Sequence, residues 1–496
     1  MSAPLFSFDN RYATELEGMS VAWQPSPAPA PRWLRFNRAL AEELGLDADA
    51  LASDQGLAVF AGQQVPEGAQ PVAQAYAGHQ FGGFSPQLGD GRALLLGEIL
   101  DPKGQRRDIA FKGSGRTPFS RGGDGKAGVG PVLREYLVSE AMHALGIPTT
   151  RTLAAVATGE TIHRERPLPG AVLTRVASSH IRVGTFQFFA AQRDTDRVRQ
   201  LADHAISRHD PSLSGRDDRH VAFYEAVVRR QAALVAQWMS VGFIHGVMNT
   251  DNMTVSGETI DYGPCAFMET YDPETVFSSI DTHGRYAFGN QPGIAQWNLA
   301  RLAETLLPLF HADEERSVAL ATQALDGFAA HFSRHWLGLH RAKLGLTDEV
   351  ADEETDRTLV NELLQLMHDH RVDFSLGVRR LSSVLRGTPD GWTDLWNGEH
   401  AATSHWLTRW RARLAAQGEA LPVVADRMDT CNPLYLPRNH LVENALDAAV
   451  ESGDLRPFEQ LLAIVTDPYR EREKDARAAL PATPEQTAGY RTFCGT

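Results

Sequence analysis

Cysteine is scarce. Three in 496 residues cannot build a disulfide framework, and so sparse a set suits a reducing compartment. No apolar run approaches the roughly 20 residues that a membrane span needs. The opening MSAPLFSFDNRYATELEG has neither a basic nor an apolar targeting region. Positive charge is also short, with 48 Lys plus Arg against 62 Asp plus Glu and a net charge of −14. As a whole, such a chain repels nucleic acid and anionic lipid, so any site for an anionic ligand must be locally basic. The expectation is a cytoplasmic, monomeric protein with no nucleic-acid or membrane partner. The rest of the composition, 43 % hydrophobic and 22 % charged, is that of a globular protein with an extensive core.

The chain changes character twice. Residues 1–80 read as an N-terminal extension, with the Pro-rich PSPAPAPRW, a helix over Leu34–Leu46, and loops ending in YAGHQFGG. Residues 81–183 are strand-rich. Ala93–Ile99 and Arg107–Phe111 flank the turn DPKGQ as a hairpin. A glycine-rich loop follows, then the helix PVLREYLVSEAMHALG with Pro131 in its first turn and Gly146 as its stop. Leu153–Ala157 and Ala171–Val176 read as further strands. Residues 184–496 are dominated by helical periodicity, clearest over Phe223–Met239, Ile294–Phe310, Ser317–His335 and Asp356–His370. Met253–Ile260 is the exception and reads as a short hairpin. A β-rich lobe with one helix followed by a helical lobe is the order of an α+β, protein-kinase-like bilobal fold, here with an N-terminal extension and extra C-terminal helices.

The stretch HGVMNTDN, His245–Asn252, sharpens that expectation. Its His and Asn have the separation of a kinase catalytic loop, but Val247 stands where the catalytic Asp belongs. The other parts of a phosphate-transfer site can be sought in chain order. Lys112 ends the strand RDIAFK, where a compact cation would meet phosphate. Glu135 shares an inward helical stripe with Val138 and Met142 and is the natural partner of Lys112, whereas Glu140 points roughly 140° away. Asn252 and Asp261, the latter opening DYG, are oxygen donors suited to Mg²⁺ or Mn²⁺ beside nucleotide phosphates. Asp251, one residue from that pair, could take a proton from an attacking hydroxyl. GGDGKA imitates the end of a Walker loop, but Ser120 and Ala127 occupy positions that motif reserves for Gly and for Ser or Thr.

FGGFSPQLGDGRA, FKGSGRTPFSRGGDGKA, LREYLVSEAMHALGIPTTR, HGVMNTDNM and DYGPCAF together resemble the selenoprotein O family. Its members are pseudokinase-like protein adenylyltransferases, which bind ATP flipped and move AMP onto protein hydroxyls. The resemblance implies nucleotide binding by Gly89, Gly91, Arg92, Lys112, Asp124, Gly125 and Asp261. It implies Arg175 and Arg182 at the terminal phosphates, Asn252 and Asp261 as metal ligands, and Asp251 as proton acceptor. Expulsion of pyrophosphate needs cationic stabilisation, which two guanidinium forks can supply. Some family members carry selenocysteine at the antepenultimate position, held here by Cys494. With Cys265 just past DYG, this suggests a reversible redox pair, while Cys431 reads as structural. Three alternatives stand beside AMP transfer: an orthodox kinase-type phosphotransferase, a non-catalytic nucleotide-binding regulator, and UMP transfer from UTP.

Overall fold

The computed structural model describes residues 4–347, 352–396, 398, 400–487 and 490–493. Its centre is an antiparallel sheet of eight strands. The strands are β1 (Ser20–Ala22), β2 (Arg32–Phe36), β3 (Val72–Gln74), β6 (Ala93–Leu100), β7 (Arg106–Lys112), β8 (Ala127–Gly128), β9 (Arg151–His163) and β10 (Pro167–Ala177). The order is β1-β3-β6-β7-β10-β9-β2, with β8 paired to β10. Between β3 and β6, a separate two-stranded hairpin forms from β4 (Gly78–Gln80) and β5 (Gly83–Ser85). Three strands of the main sheet come from residues before 81, so the sheet is continuous across that position.

Local chemistry explains the central hairpin. The apolar run of β6 and the RDIAFK of β7 are joined by a turn in which Asp101 Oδ1 accepts from Lys103 N at 3.0 Å and Gln105 N at 2.8 Å. An Asp side chain bonding its own downstream backbone is a standard turn device. The resulting register pairs Ala93 with Lys112 and Leu173 with Lys112, which puts the lysine at the end of the sheet.

The short helix α1 (Arg11–Glu15) lies against β6, while α2 (Arg38–Glu43), α3 (Ala48–Leu51) and α4 (Asp54–Phe60) pack through Leu40, Leu51 and Phe60 on the sheet face that carries Leu94, Ile109 and Val156. The longer α5 (Val129–Ala144) lies across it. Leu133, Leu137 and Ala141 of α5 face Ala155, Ala157 and Leu173, while a C-terminal helix, Arg456–Val465, covers the other side through Phe458 and Leu461. Burial on both sides accounts for its almost wholly buried surface. Its stop is Gly146, at φ +77°, the left-handed position glycine fills without strain. The helical half contains α6 (Val183–Ala191), α7 (Thr195–His209), α8 (Arg219–Ser240), α9 (Gln291–Phe310), α10 (Glu314–Lys343) and α11 (Glu353–Asp369), followed by further helices. No helix among the described residues is long and apolar enough to cross a membrane.

Two sequence expectations fail. Leu34–Leu46 is not one helix. Arg32–Phe36 is a strand against β9, and only Arg38–Glu43 is helical. The leucine spacing misled; the signals that decide are the aromatics Trp33 and Phe36, which favour a sheet. Asn37 also starts a helix afresh by accepting from Leu40 N at 3.1 Å. Met253–Ile260 is not a hairpin either. Its flanks pair outward, Thr254 with Arg182 and Thr259 with Thr149. The loop between them is closed by Thr254 Oγ1 donating to Glu258 O at 2.8 Å. The segment therefore ties the strand-rich half to the helical half rather than pairing with itself.

Candidate active site

A cavity of about 660 Å³ gathers residues from both halves of the chain, well within the size of a small-ligand site. Gly89, Gly91, Arg92, Lys112, Asp124, Gly125, Arg175, Arg182, Asp251, Asn252 and Asp261 all line it. Glu135 sits directly behind, 2 % exposed.

Lys112 Nζ donates to Glu135 Oε2 at 2.6 Å and to Asp261 Oδ1 at 2.9 Å. Arg175, near the end of β10, donates through Nε to Glu135 Oε1 at 2.8 Å and through Nη2 to Asp261 Oδ1 at 2.6 Å. Arg182 precedes α6 and reaches Asp261 Oδ2 at 2.9 Å and the Asp251 carbonyl at 2.7 Å. Its guanidinium also lies 4.6 Å from the ring centre of Tyr76, a cation–π contact. Three cations thus converge on one carboxylate. Although desolvation works against them, Arg175, Lys112 and Arg182 hold the half-buried Asp261 well below the usual carboxylate range. Glu135 is likewise lowered, by Arg175 and Lys112 acting against its burial. Glu140 instead forms a separate pair with Arg151, at 2.8 Å to Nε and 2.7 Å to Nη2.

Asp251 is different in kind. It lies in the 3₁₀ turn Thr250–Asn252, 8 % exposed. Among the described residues its Oδ2 has only Gln80 Nε2, at 3.4 Å, and its buried Oδ1 has no hydrogen-bond partner. Burial pushes its carboxyl up to about 6, with nearby Arg182 pulling the other way. Val247 is buried in the wall of the same cavity. An apolar side chain therefore stands where the kinase pattern puts an acid. His245 is buried and pairs through Nε2 with Ile260 O at 2.9 Å.

The glycine-rich segment closes another wall. A Cβ on Gly89, at φ +72°, would meet Phe119 Cγ at 2.3 Å. On Gly125, at φ +66°, it would meet Gly115 O at 2.0 Å, so neither position admits a side chain. Asp124 is bound in a fork by Arg164, with Nη1 to Oδ2 at 2.8 Å and Nη2 to Oδ1 at 2.9 Å. Here the fork ties the loop to the β9–β10 turn.

The donor set suits a hard cation. Asn252 Nδ2 donates to Val247 O at 2.9 Å, which fixes the amide and leaves Oδ1 as the atom that could ligate a cation. Asp261 stays ionised in the same wall. No group of three or more His, Cys, Asp or Glu able to hold a metal occurs among the described residues. A cation here would draw its remaining ligands from nucleotide phosphates and water, as Mg²⁺ commonly does.

Cys265 is buried, and desolvation pushes its thiol up to about 12. Cys494 lies outside the described residues. Just before it, Thr492 Oγ1 donates to Pro264 O at 2.6 Å and its backbone pairs with Phe277 and Ser279. Sequence reasoning missed Tyr76, Gln80, Phe81, Asn249, Arg121, Arg164 and Ile280 as lining residues. Gln80 ends β4 and Asn249 stands inside HGVMNTDN, but the others sit in loops without motif spacing; the one further hint was GHQFGG, an amide and an aromatic between glycines.

A family model described as "Protein adenylyltransferase SelO" matches residues 5–466. A "Protein nucleotidyltransferase YdiU" of Cereibacter sphaeroides strain KD131 is 61 % identical over 492 residues, covering 99 % of this chain and all of the relative. Proteins with the same description from Mycobacterium sp. strain KMS and Chromobacterium violaceum are 58 % and 57 % identical, over 99 % and 96 % of this chain and 99 % and 100 % of their own lengths. The chain belongs to the SelO family of protein adenylyltransferases.

Proposed function

We propose that the chain transfers AMP from ATP to Ser, Thr or Tyr hydroxyls of proteins and releases pyrophosphate. One observation carries the reading: a buried carboxylate oxygen without a hydrogen-bond partner among the described residues, Asp251 Oδ1, shares a cavity with three converging cations. Lys112, Arg175 and Arg182 supply charge for a polyphosphate, and Glu135 fixes Lys112 and Arg175 from behind. The acceptor oxygen attacks the α-phosphorus and its proton passes to Asp251. As the new P–O ester forms, the bond to the β-phosphate breaks and its electron pair leaves with pyrophosphate. Arg175 and Arg182 stabilise that departing charge. Asn252 and Asp261 would hold Mg²⁺, or Mn²⁺ in its place, which neutralises phosphate charge when bound. Gly89, Gly91, Arg92, Asp124 and Gly125 shape the nucleotide wall.

The same reading takes the fold as kinase-like and bilobal, with an N-terminal extension to about residue 80, a strand-rich lobe to 183 and a helical lobe beyond. It takes the enzyme as cytoplasmic and monomeric. It includes a reversible Cys265–Cys494 disulfide, supported by the anchoring of Thr492 on the carbonyl that precedes Cys265. Non-reducing peptide mapping of oxidised protein tests that pair, and absence of a cross-linked peptide removes it.

ATP labelled separately at the α- and γ-phosphates tests the main reading. Protein retaining α-label is the expected result. Retained γ-label makes the enzyme a kinase, and retention of neither makes it a nucleotide sensor. Running α-labelled UTP in parallel decides the base.

A further inference from the structure

The β4–β5 hairpin contains a local contradiction. Its register pairs Gln80 with Gly83, leaving a two-residue turn of Phe81 and Gly82 at φ +51° and +86°. Two positive φ values make the turn in which Asn-Gly is the favoured pair. A phenylalanine in the left-handed region is strained, because its Cβ crowds the following carbonyl oxygen. The strain is held by anchoring: Phe81 N donates to Asn249 Oδ1 at 3.1 Å and to Tyr286 Oη at 3.2 Å. The hairpin is also fixed to the segment that bears the proposed base. His79 N donates to Thr250 Oγ1 at 2.7 Å, and a Cβ on Gly78 would meet Asp251 Oδ1 at 2.5 Å. The Phe81 ring packs edge-on against Tyr286, at 5.1 Å between centroids, yet stays 38 % exposed. Ile280, 57 % exposed, lines the same cavity.

We infer that Phe81 and Ile280 form the docking surface for the acceptor: an extended segment of a protein substrate with an apolar side chain beside its hydroxyl. The inference rests on the adenylyl-transfer reading. The polyphosphate is matched by the cations inside, which leaves the apolar opening to the other reactant. Because Phe81 and Asp251 are anchored to one turn, a side chain seated on the ring fixes its neighbouring hydroxyl relative to the carboxylate. This gives a strained aromatic at that position a use that Asn lacks.

The test uses the full-length enzyme, [α-³²P]ATP and a pool of synthetic peptides with Ser, Thr or Tyr at the centre. Each flanking position is fixed in turn as Leu, Phe, Ala, Asp or Lys. Wild-type enzyme should favour Leu or Phe at one flanking position by roughly tenfold, the order one buried apolar side chain supplies. Phe81→Asn keeps a residue that tolerates positive φ but removes the ring. It should erase that preference, with acceptor KM up about tenfold and fluorescent-nucleotide affinity within twofold. Ile280→Ser, on a separate segment, should weaken the preference independently. A wild-type enzyme indifferent to flanking residues overturns the inference. So does a Phe81→Asn enzyme that keeps the preference, or one whose loss lies in nucleotide affinity, which would assign the ring to the base. Absence of α-label on every acceptor, protein or peptide, is the distinct result that removes the transferase reading and the docking surface with it.

Discussion

Strand β7 feeds two buried charge clusters from one face, four residues apart. Lys112 joins the cavity, and Asp108 joins a second cluster beside α7. There Arg208 is wedged between Glu98 and Asp108, His180 Nδ1 pairs with Asp108 at 2.8 Å, and Tyr12 N donates to Glu98 at 2.5 Å. The side chains of Glu98, Asp108 and Arg208 are 0, 2 and 3 % exposed. Both clusters are buried, ionic and densely hydrogen-bonded, so burial does not separate them. Stoichiometry and access do. At the cavity, three cations share two carboxylates, Glu135 and Asp261, and the surplus positive charge faces an opening. Beside α7, two carboxylates enclose Arg208, and the cluster reads as a joint between sheet and helix. Only the first arrangement has charge to offer a ligand, which is why the net charge of −14 and a polyphosphate site are compatible.

If the contrast is right, the two clusters respond differently to losing a member. Asp261→Ala should have the largest effect. It removes a proposed metal ligand and the carboxylate on which Lys112, Arg175 and Arg182 meet, and transfer should fall by about 10³-fold or more. The α-label assay checks this; activity within tenfold of wild type would remove Asp261 from the chemistry. Asp251→Ala comes next, with a loss of roughly 10²–10⁴-fold, as expected for a general base, and unchanged nucleotide affinity. Full turnover in that variant would end its role as proton acceptor.

The site was more legible than the fold around it, for a physical reason. A strand end and a helical stripe place Lys112 and Glu135, while motif spacing alone marks Asn252, in a 3₁₀ turn, and Asp261, in a loop. The partners of Glu135 and Glu140 follow from a rotation of 140° along one helix. Arg175 could be assigned only by resemblance, because an arginine within an apolar strand carries no signal of what it faces. The Phe81 turn was opaque since its meaning lies in backbone handedness and in contacts with Asn249 and Tyr286, which are distant in sequence. Leu34–Leu46 failed through a tertiary override, where β9 recruits the aromatics of a segment whose leucines suggest a helix.

The second cluster should behave as structure. Arg208→Met leaves Glu98 and Asp108 buried side by side without the cation between them. Breaking a buried pair this way destabilises by about 3–5 kcal/mol, read as a lower thermal midpoint or reduced folded yield. The kcat of the folded fraction should match wild type. A kinetic defect at unchanged stability would mean that the two clusters communicate along β7.

The smallest effect is a slope. Burial, with Asp108 adding to it, pushes the Glu98 carboxyl up to about 7 from its ordinary 4.5, against the pull of Arg208 and Arg106. Below about pH 4.5 the group is protonated folded and unfolded alike. Between there and pH 7 the folded state holds the proton more tightly, so the Glu98 contribution is lost as pH rises through 7. Asp108 is held well below the carboxylate range and contributes no slope in this window. Glu98→Gln cannot titrate, so its stability relative to wild type should climb by roughly 2–3 kcal/mol from about pH 5 to pH 8. Thermal midpoints measured across that range give the difference curve, in which groups common to both proteins cancel. A flat curve would mean that Arg208 keeps Glu98 ionised throughout. The α7 cluster would then hold fixed charge as the cavity does, and only access to the opening would distinguish the two.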